Sequence, residues 1–160
     1  MTSESQREML EILDATPRRV AAALQGLPRA LLLWIPAPGR WSLVELAGHW
    51  RDFEHEIFLD SYRRIATTER PALPHHDPDE RSLGSDARRA RASEIVRTWR
   101  RARRETLAFL AALPPAAWER EGIHPIHGPL TLRTLVERQV RDHDLVHLRE
   151  IGRASCRERV

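Results

Sequence analysis

A four-helix bundle is the fold that this 160-residue sequence predicts, and three observations lead to it. Four stretches place apolar residues at every third or fourth position, which is the period of an amphipathic helix. No stretch shows the strict alternation of a half-buried strand. Two long crossing connections and one compact loop join the helices, as in bundles whose helices are not all linked to their nearest neighbours.

The first predicted helix covers residues 4–25 and ends before Gly26, a residue suited to the left-handed position after a helix. Pro17 has no backbone N–H and interrupts the pattern. We therefore expect a kink, or two short helices that meet at Thr16 and Pro17. Residues 27–40 contain three prolines and one glycine, and are predicted to form a long connection.

The second predicted helix begins at Ser42 and ends near Ala66. Ser42 and Glu45 have the spacing of a capping box, in which each side chain bonds the other residue's backbone N–H. A loop over residues 67–84 follows, rich in proline, aspartate and histidine. The apolar stripe of this helix contains Leu46, His49, Phe53 and Ile57, with Trp50 beside it.

The third predicted helix covers about residues 86–113, and the prolines at 114 and 115 end it. Residues 118–130 form a compact loop, and Thr131 is the candidate N-cap of the fourth helix. The third stripe contains Ile95, Trp99, Ala102, Thr106, Phe109 and Leu113. The fourth stripe contains Leu132, Val136, Val140, His143 and His147.

Three histidines, His49, His143 and His147, lie on these apolar stripes rather than on polar faces. The four-residue spacing places His143 and His147 one above the other on one helix face. A buried polar group without a partner costs about 1–3 kcal/mol, so all three call for an explanation. Three neutral imidazoles that converge form a metal site with a free position. The alternative is that they are buried core residues with no metal.

Four carboxylates lie near these histidines in the sequence and could orient them, because a ligating imidazole usually donates its other N–H to a carboxylate or a carbonyl. Glu45 and Asp52 lie about a turn on either side of the first histidine, and Asp142 and Asp144 flank the second. Capping alone explains Glu45, and solvent exposure is the preferred interpretation of Asp142 and Asp144. Glu45 and Asp142 are the remaining candidates for a general base.

His124 and His127 precede the fourth helix in a loop that we expect at one mouth of the bundle. Either could reach a substrate or the metal, although a structural role is the preferred interpretation. His55, His75 and His76 are expected on the surface.

The composition, 41% hydrophobic and 31% charged residues, is that of a soluble globular domain. The arginine-rich residues 97–104 are expected to form a solvated helix face. No signal peptide is recognisable and no apolar run could cross a membrane, which predicts a cytoplasmic protein with no membrane partner. The sequence contains no glycine-rich phosphate loop, no nucleophile elbow and no cysteine-based zinc pattern.

The last ten residues, IGRASCRERV, resemble the in-frame translation of a sequencing adapter. We therefore expect residues 1–150 to be the bundle domain and residues 151–160 to be a non-native tail that replaces a longer native helix. Three arginines and one glutamate give this tail a charge of +2, which leaves +1 of the formal +3 for residues 1–150. That balance does not predict a nucleic-acid partner. The only cysteine, Cys156, also falls in this tail, so no internal disulfide is expected.

Two segments together resemble the DinB-like superfamily, which includes the YfiT-type metal-dependent hydrolases. They are PGRWSLVELAGHWRDFEHEIF and WEREGIHPIHGPLTLRTLVERQVRDHDLVHLREI, with the shared pattern W-S-x-x-E-x-x-x-H followed by H-D-x-x-H-L. The resemblance implies a four-helix bundle in up-down-down-up order. It also implies a divalent metal, zinc or nickel, on the residues that match the family ligands, His49, His143 and His147. Homodimers are frequent in the family.

Known reactions of the superfamily include thiol-dependent S-transfer, in which a low-molecular-weight thiol is the co-substrate. The leading hypothesis is therefore a metal-dependent enzyme that activates water or such a thiol and acts on a small-molecule substrate as a hydrolase or thiol S-transferase. The sequence does not choose between these reactions. The alternative hypothesis is a non-catalytic, metal-binding stress-response bundle.

Overall fold

Four long helices form a bundle in which the first and second helices each pack against the third and fourth. The structure is a computed structural model that describes residues 3–75 and 86–156. The predicted four-helix bundle is confirmed. The predicted surface position of His76 and most of the 67–84 loop lie outside the described residues.

The first bundle helix, α1, extends from Ser3 to Leu24 as one helix rather than two, despite Pro17. Proline supplies no N–H to the carbonyl four residues earlier. That carbonyl, on Leu13, instead accepts a hydrogen bond of 2.8 Å from Nη1 of Arg103 in the third bundle helix. A donor from a neighbouring helix thus replaces the missing bond. The short helix α2 (Arg29–Leu32) lies in the connection that follows.

The second bundle helix is continuous but not uniform. It consists of α3 (Leu43–Phe53), a π-helical segment π1 (Glu54–Leu59) and α4 (Asp60–Thr67). The predicted capping box is present: Ser42 Oγ accepts from the Glu45 backbone N–H, and Glu45 Oε2 accepts from the Ser42 N–H at 2.8 Å. This cap sets the start of the helix that carries His49.

The third bundle helix, α5, extends from Ala92 to Ala112 and so begins later than predicted. Residues 86–91 form turns instead. Arg29 donates to the backbone carbonyls of Arg88 and Ala90, and these carbonyls are therefore engaged by a side chain from the α2 region. The prediction of a helix from residue 86 was wrong at its start, because the backbone at Arg91 is extended (ψ 135°) and separates the turns from the helix.

A β-hairpin, absent from the prediction, joins the third and fourth bundle helices. A 3-10 turn (Pro115–Glu119) leads into β1 (Glu121–His124), which pairs antiparallel with β2 (Gly128–Thr131). Ile123 also bonds in parallel to the segment around Ala72. Strands of four residues, one of them containing proline, are too short to show a clear alternation in sequence.

The fourth bundle helix begins with α6 (Leu132–Arg138), continues as a π-helical segment π2 (Gln139–Asp144) and ends with α7 (Leu145–Cys156). Thr131 is its N-cap, as predicted: Oγ1 accepts from the Thr134 N–H at 3.1 Å. Ile151 is buried in the bundle core. The non-native origin of residues 151–160 stays a prediction.

A polar layer separates the core into two apolar clusters. One cluster surrounds the stacked rings of Trp50 and Trp99, and the other surrounds Tyr62 and Trp118. On each bundle helix, a buried polar residue lies between the positions that enter the two clusters. These polar residues are Thr16, Glu54, Arg103, Thr106 and Asp144, and Gln139 bonds Glu54 beside them. None of the helices in the described residues is long and apolar enough to span a membrane.

Candidate metal centre

Three histidines from two bundle helices meet beside the polar layer. His49 comes from α3, His143 from π2 and His147 from α7. Their ring centroids lie 4.8–5.0 Å apart, and one nitrogen from each ring lies within 4.8 Å of the others. Nε2 of His49 is 2.9 Å from Nε2 of His143. The structure therefore brings together the three histidines that the sequence singled out.

Carboxylates hold the outer nitrogens of two of these rings. Nδ1 of His143 lies 3.0 Å from Oδ1 of Asp144, and Nδ1 of His147 lies 2.8 Å from Oε2 of Glu150. An ionised carboxylate only accepts hydrogen bonds, so each Nδ1 carries the proton. Neutral rings of this tautomer have their lone pair on Nε2, the nitrogen available to a metal.

Burial lowers the pKa of His147. Removal from water is the largest influence on its pKa and lowers it, and the nearby His143 lowers it further, against the opposing effect of Glu150. Because the metal-binding form of histidine is the neutral one, a lowered pKa favours coordination.

Aromatic rings form the walls around the three histidines. Trp41 lies 4.6 Å from the ring of His49, and Phe53 lies 4.1 Å from it on another side. His49 is only 3% exposed, whereas the side chains of His143 and His147 are 12% and 17% exposed. The site thus has an apolar base at His49 and opens to solvent on the side of the fourth bundle helix.

A buried network of charges adjoins His143. Oδ2 of Asp144 pairs with Nη1 of Arg103 at 2.8 Å, and Oε2 of Glu54 pairs with Nε of the same arginine at 2.7 Å. Burial by itself would raise the pKa of Asp144, but the charge of Arg103 and the bond from His143 hold it at about 2. Two formal negative charges therefore surround one formal positive charge.

This excess of negative charge fits a bound cation. A buried negative charge needs a positive charge near it. A divalent ion at the three neutral imidazoles would supply that charge close to Asp144, which bonds the ring of His143. The donor set of three histidines, with carboxylates behind two of them, is one that zinc and nickel accept. The residues present therefore fit a divalent metal.

A sequence model of the DinB superfamily matches residues 12–151, which include all three histidines. The chain belongs to the DinB superfamily. Among solved structures, it is similar to YfiT from Bacillus subtilis, described as a probable metal-dependent hydrolase with an unusual four-helix bundle topology. The TM-score is 0.83 at 20% sequence identity, over 96% of this chain and 89% of that one. A search of curated proteins found no match.

Two sequence interpretations of this DinB chain are wrong at its charge network. Asp144 is fully buried and contacts His143, although exposure was the preferred interpretation. Arg103 is 1% exposed, although the run 97–104 was expected to be solvated. A signal for Arg103 was present, because it lies four residues after Trp99 and three before Thr106 on the predicted stripe.

The other three carboxylates proposed from sequence are engaged elsewhere in the DinB bundle. Glu45 bonds Ser42 and Arg88, and Asp52 pairs with Arg51 at 2.7 Å. Asp142 is exposed and pairs with Arg141. Glu150, which the sequence reasoning missed, is the carboxylate that contacts His147.

His124 and His127 belong to a second cluster, at the hairpin of this DinB chain. The His124 ring lies 4.7 Å from His127 and 5.1 Å from His75. Nδ1 of His124 accepts from the backbone N–H of His127 at 3.3 Å, and Arg138 donates to Nε2 of His127 at 2.9 Å. Within the described residues, the group of metal-type ligands that converges is the first one, and a structural role for this pair stays a prediction. His75 and His55 are exposed, as predicted.

Proposed function

We propose that this DinB-superfamily chain is a metal-dependent enzyme whose divalent ion binds His49, His143 and His147. One observation carries the proposal: three imidazoles converge, and carboxylates hold two of them in the tautomer that has its lone pair on Nε2. Zinc or nickel matches this nitrogen donor set, which has room for one to three further ligands.

A bound divalent ion supplies Lewis acidity, which lowers the pKa of a water or thiol at its open position and gives a nucleophile near neutral pH. The chain's own residues prepare the site for this chemistry. Asp144 and Glu150 orient two imidazoles, and the rings of Trp41 and Phe53 limit access by water. A small substrate would enter on the partly exposed side, at His143 and His147.

A divalent ion that activates either a water or a thiol would allow both hydrolysis and thiol S-transfer. The likeness in fold to a structure described as a probable metal-dependent hydrolase supports hydrolysis. The sequence resemblance to a superfamily with S-transferases supports a low-molecular-weight thiol as co-substrate. Glu45 and Asp142 are bonded elsewhere, so we assign neither as a general base. A homodimer and a cytoplasmic location stay predictions.

Elemental analysis of protein purified without an affinity tag tests the metal. We expect a stoichiometric divalent metal in the wild type, and its absence would overturn the proposed site. Loaded protein should then be assayed against esters, amides and electrophiles, with and without small thiols such as cysteine. Turnover that His49→Ala removes would support the enzyme. A loaded protein inert against every combination would favour a non-catalytic metal-binding bundle.

A further inference from the structure

The guanidinium of Arg103 lies at the centre of the bundle, where it is bonded on every side. Its Nε and Nη2 lie 2.7 and 2.6 Å from Oε2 of Glu54. Its Nη1 lies 2.8 Å from Oδ2 of Asp144 and 2.8 Å from the carbonyl oxygen of Leu13. A second contact, from Nη2 to Oδ1 of Asp144, is 3.4 Å. Five N–H donors thus have five contacts, which only the planar fork of arginine can make.

The bond from Arg103 determines the position of the Asp144 carboxylate. Oδ2 of Asp144 faces Arg103, so Oδ1 is directed at the remaining donors. These are Nε1 of Trp50 at 3.0 Å and Nδ1 of His143 at 3.0 Å. Two aromatic donors and one guanidinium therefore hold the carboxylate in one orientation. His143 is constrained in turn, because its Nδ1–H must donate to a fixed oxygen.

Among the side chains that the structure describes, the partner of His147 is less firmly supported. Glu150 is one-third exposed, and Arg40 lies 3.6 Å from it. The Arg40 side chain is 67% exposed, and an exposed pair at this distance constrains little. The two neighbouring histidines are therefore held differently, His143 by a buried network and His147 by a side chain in contact with water.

We infer, on the basis of the proposed metal site, that Arg103 is a positioning residue that fixes the ring orientation and Nδ1–H tautomer of His143 through Asp144. Asp144 lies between Arg103 and His143 and accepts from both. The effect of Arg103 passes through two hydrogen bonds, and Asp144 is the shared acceptor. His143 is then the rigid ligand of the centre and His147 the adjustable one.

Nitrogen NMR of metal-free protein at pH 8 tests the positioning without any metal. In the wild type, we expect His143 in the Nδ1–H form, with an Nδ1 proton that exchanges with solvent more slowly than that of His147. In Arg103→Lys, we expect a mixture of tautomers and faster exchange at His143, because an ammonium cannot replace the fork. A wild-type His143 in the Nε2–H form would overturn the inference even if the variant does not fold.

The metal affinity of Arg103→Lys, measured by competition with a chelator, gives the second readout. Loss of support behind a ligand weakens metal binding by about 10- to 100-fold, and we expect a change in that range. The visible spectrum of the cobalt-substituted variant should shift too, because the ligand geometry changes.

Tyr62→Phe is the matched control. It removes a hydrogen bond from the Tyr62 hydroxyl to Oε1 of Gln139, whose amide bonds Glu54 on the same network, but it leaves Asp144 untouched. We expect lower stability and unchanged metal affinity. Equal affinity and identical cobalt spectra in wild type, Arg103→Lys and Tyr62→Phe would assign Arg103 a structural role only. Should wild type bind no metal while the His143 tautomer still depends on Arg103, the proposed function fails and the positioning stands.

Discussion

Two groups of three histidines can be compared within residues 3–75 and 86–156. The inner group is formed by the metal-site candidates His49, His143 and His147, which lie on long helices against carboxylates and aromatic rings. The outer group, His75, His124 and His127, surrounds a hairpin, and its bonds lead to backbone N–H groups and an arginine.

The two groups differ in the hydrogen-bond partner of Nδ1 on each ring. A carboxylate that accepts from Nδ1 places the lone pair of His143 on Nε2, the nitrogen that faces His49. In the outer group, Nδ1 of His124 accepts from two backbone N–H groups, so its lone pair is already engaged. Residue type alone therefore does not identify a metal ligand; the partner of its second nitrogen does.

Removal of one imidazole ring from each group should give the largest difference in metal content. We expect His143→Ala to abolish stoichiometric metal binding, because two imidazoles are too few to retain the ion against a chelator. His124→Ala should retain the wild-type metal content. Elemental analysis of both variants after dialysis against a weak chelator checks this.

An equal metal loss in both variants would contradict the separation of the two groups. Circular dichroism of the metal-free variants is the control. It distinguishes a lost ligand from a lost fold.

The two carboxylates of the inner group should differ from each other. Asp144→Asn should lower the metal affinity by about 10- to 100-fold, since the buried amide keeps one acceptor oxygen but loses the charge that pairs with Arg103. Glu150→Gln should have a smaller effect, because Glu150 is one-third exposed and its amide stays in contact with water. Chelator competition on both purified variants measures the difference, and a larger loss in Glu150→Gln would reverse our ranking of the two ligands.

The outer group should make the protein less stable at acidic pH. Burial, and then the neighbouring His127 and His75, lower the pKa of His124 from 6.5 to about 4. The imidazole of His124 therefore takes up a proton near pH 6.5 in the unfolded chain but only near pH 4 in the folded chain. The free energy of unfolding consequently falls as the pH falls from 6.5 to about 4. We expect His124→Gln to lose less free energy of unfolding than wild type between pH 7 and 4.5. Urea titrations at both pH values measure this, and identical losses would contradict the lowered pKa.

The smallest effects should come from substitutions at the helix cap near the inner group and at the hairpin turn near the outer group. Ser42→Ala removes the cap of the helix that carries His49 and should cost about 1 kcal/mol. Gly128→Ala places a side chain at φ +70° in the hairpin and should cost a similar amount, about 1 kcal/mol. Only Ser42→Ala should weaken metal binding, slightly, which chelator competition can detect. A loss of affinity in Gly128→Ala alone would indicate that the hairpin supports the inner group.

Much of the fold and the three central histidines could be predicted, because they depend on local patterns. The capping box at Ser42 and the N-cap at Thr131 are short-range signals that the structure confirms. His49, His143 and His147 were found because each interrupts an apolar stripe. Such signals need no knowledge of distant residues.

The partners of these histidines depend on packing that the sequence conceals. A π-helical turn holds more residues than an α-helical one, so the stripe shifts around the helix, and a regular period misplaces Asp144. Glu54 lies in the other π-helical segment and was missed as well. Arg103 sits among several arginines whose charges look alike in sequence. Only the assembled bundle shows which one is buried.

Pro17 has a consequence for how the helices are aligned along the bundle axis. Apolar helices can slide past one another, because side chains at successive turns offer similar contacts. The carbonyl of Leu13 that Pro17 leaves open accepts from Arg103 at one height only, and a shift by a turn would leave that carbonyl without this donor. Buried polar contacts of this kind are known to select one alignment among several. A residue that weakens its own helix thus gives the first and third helices a single register.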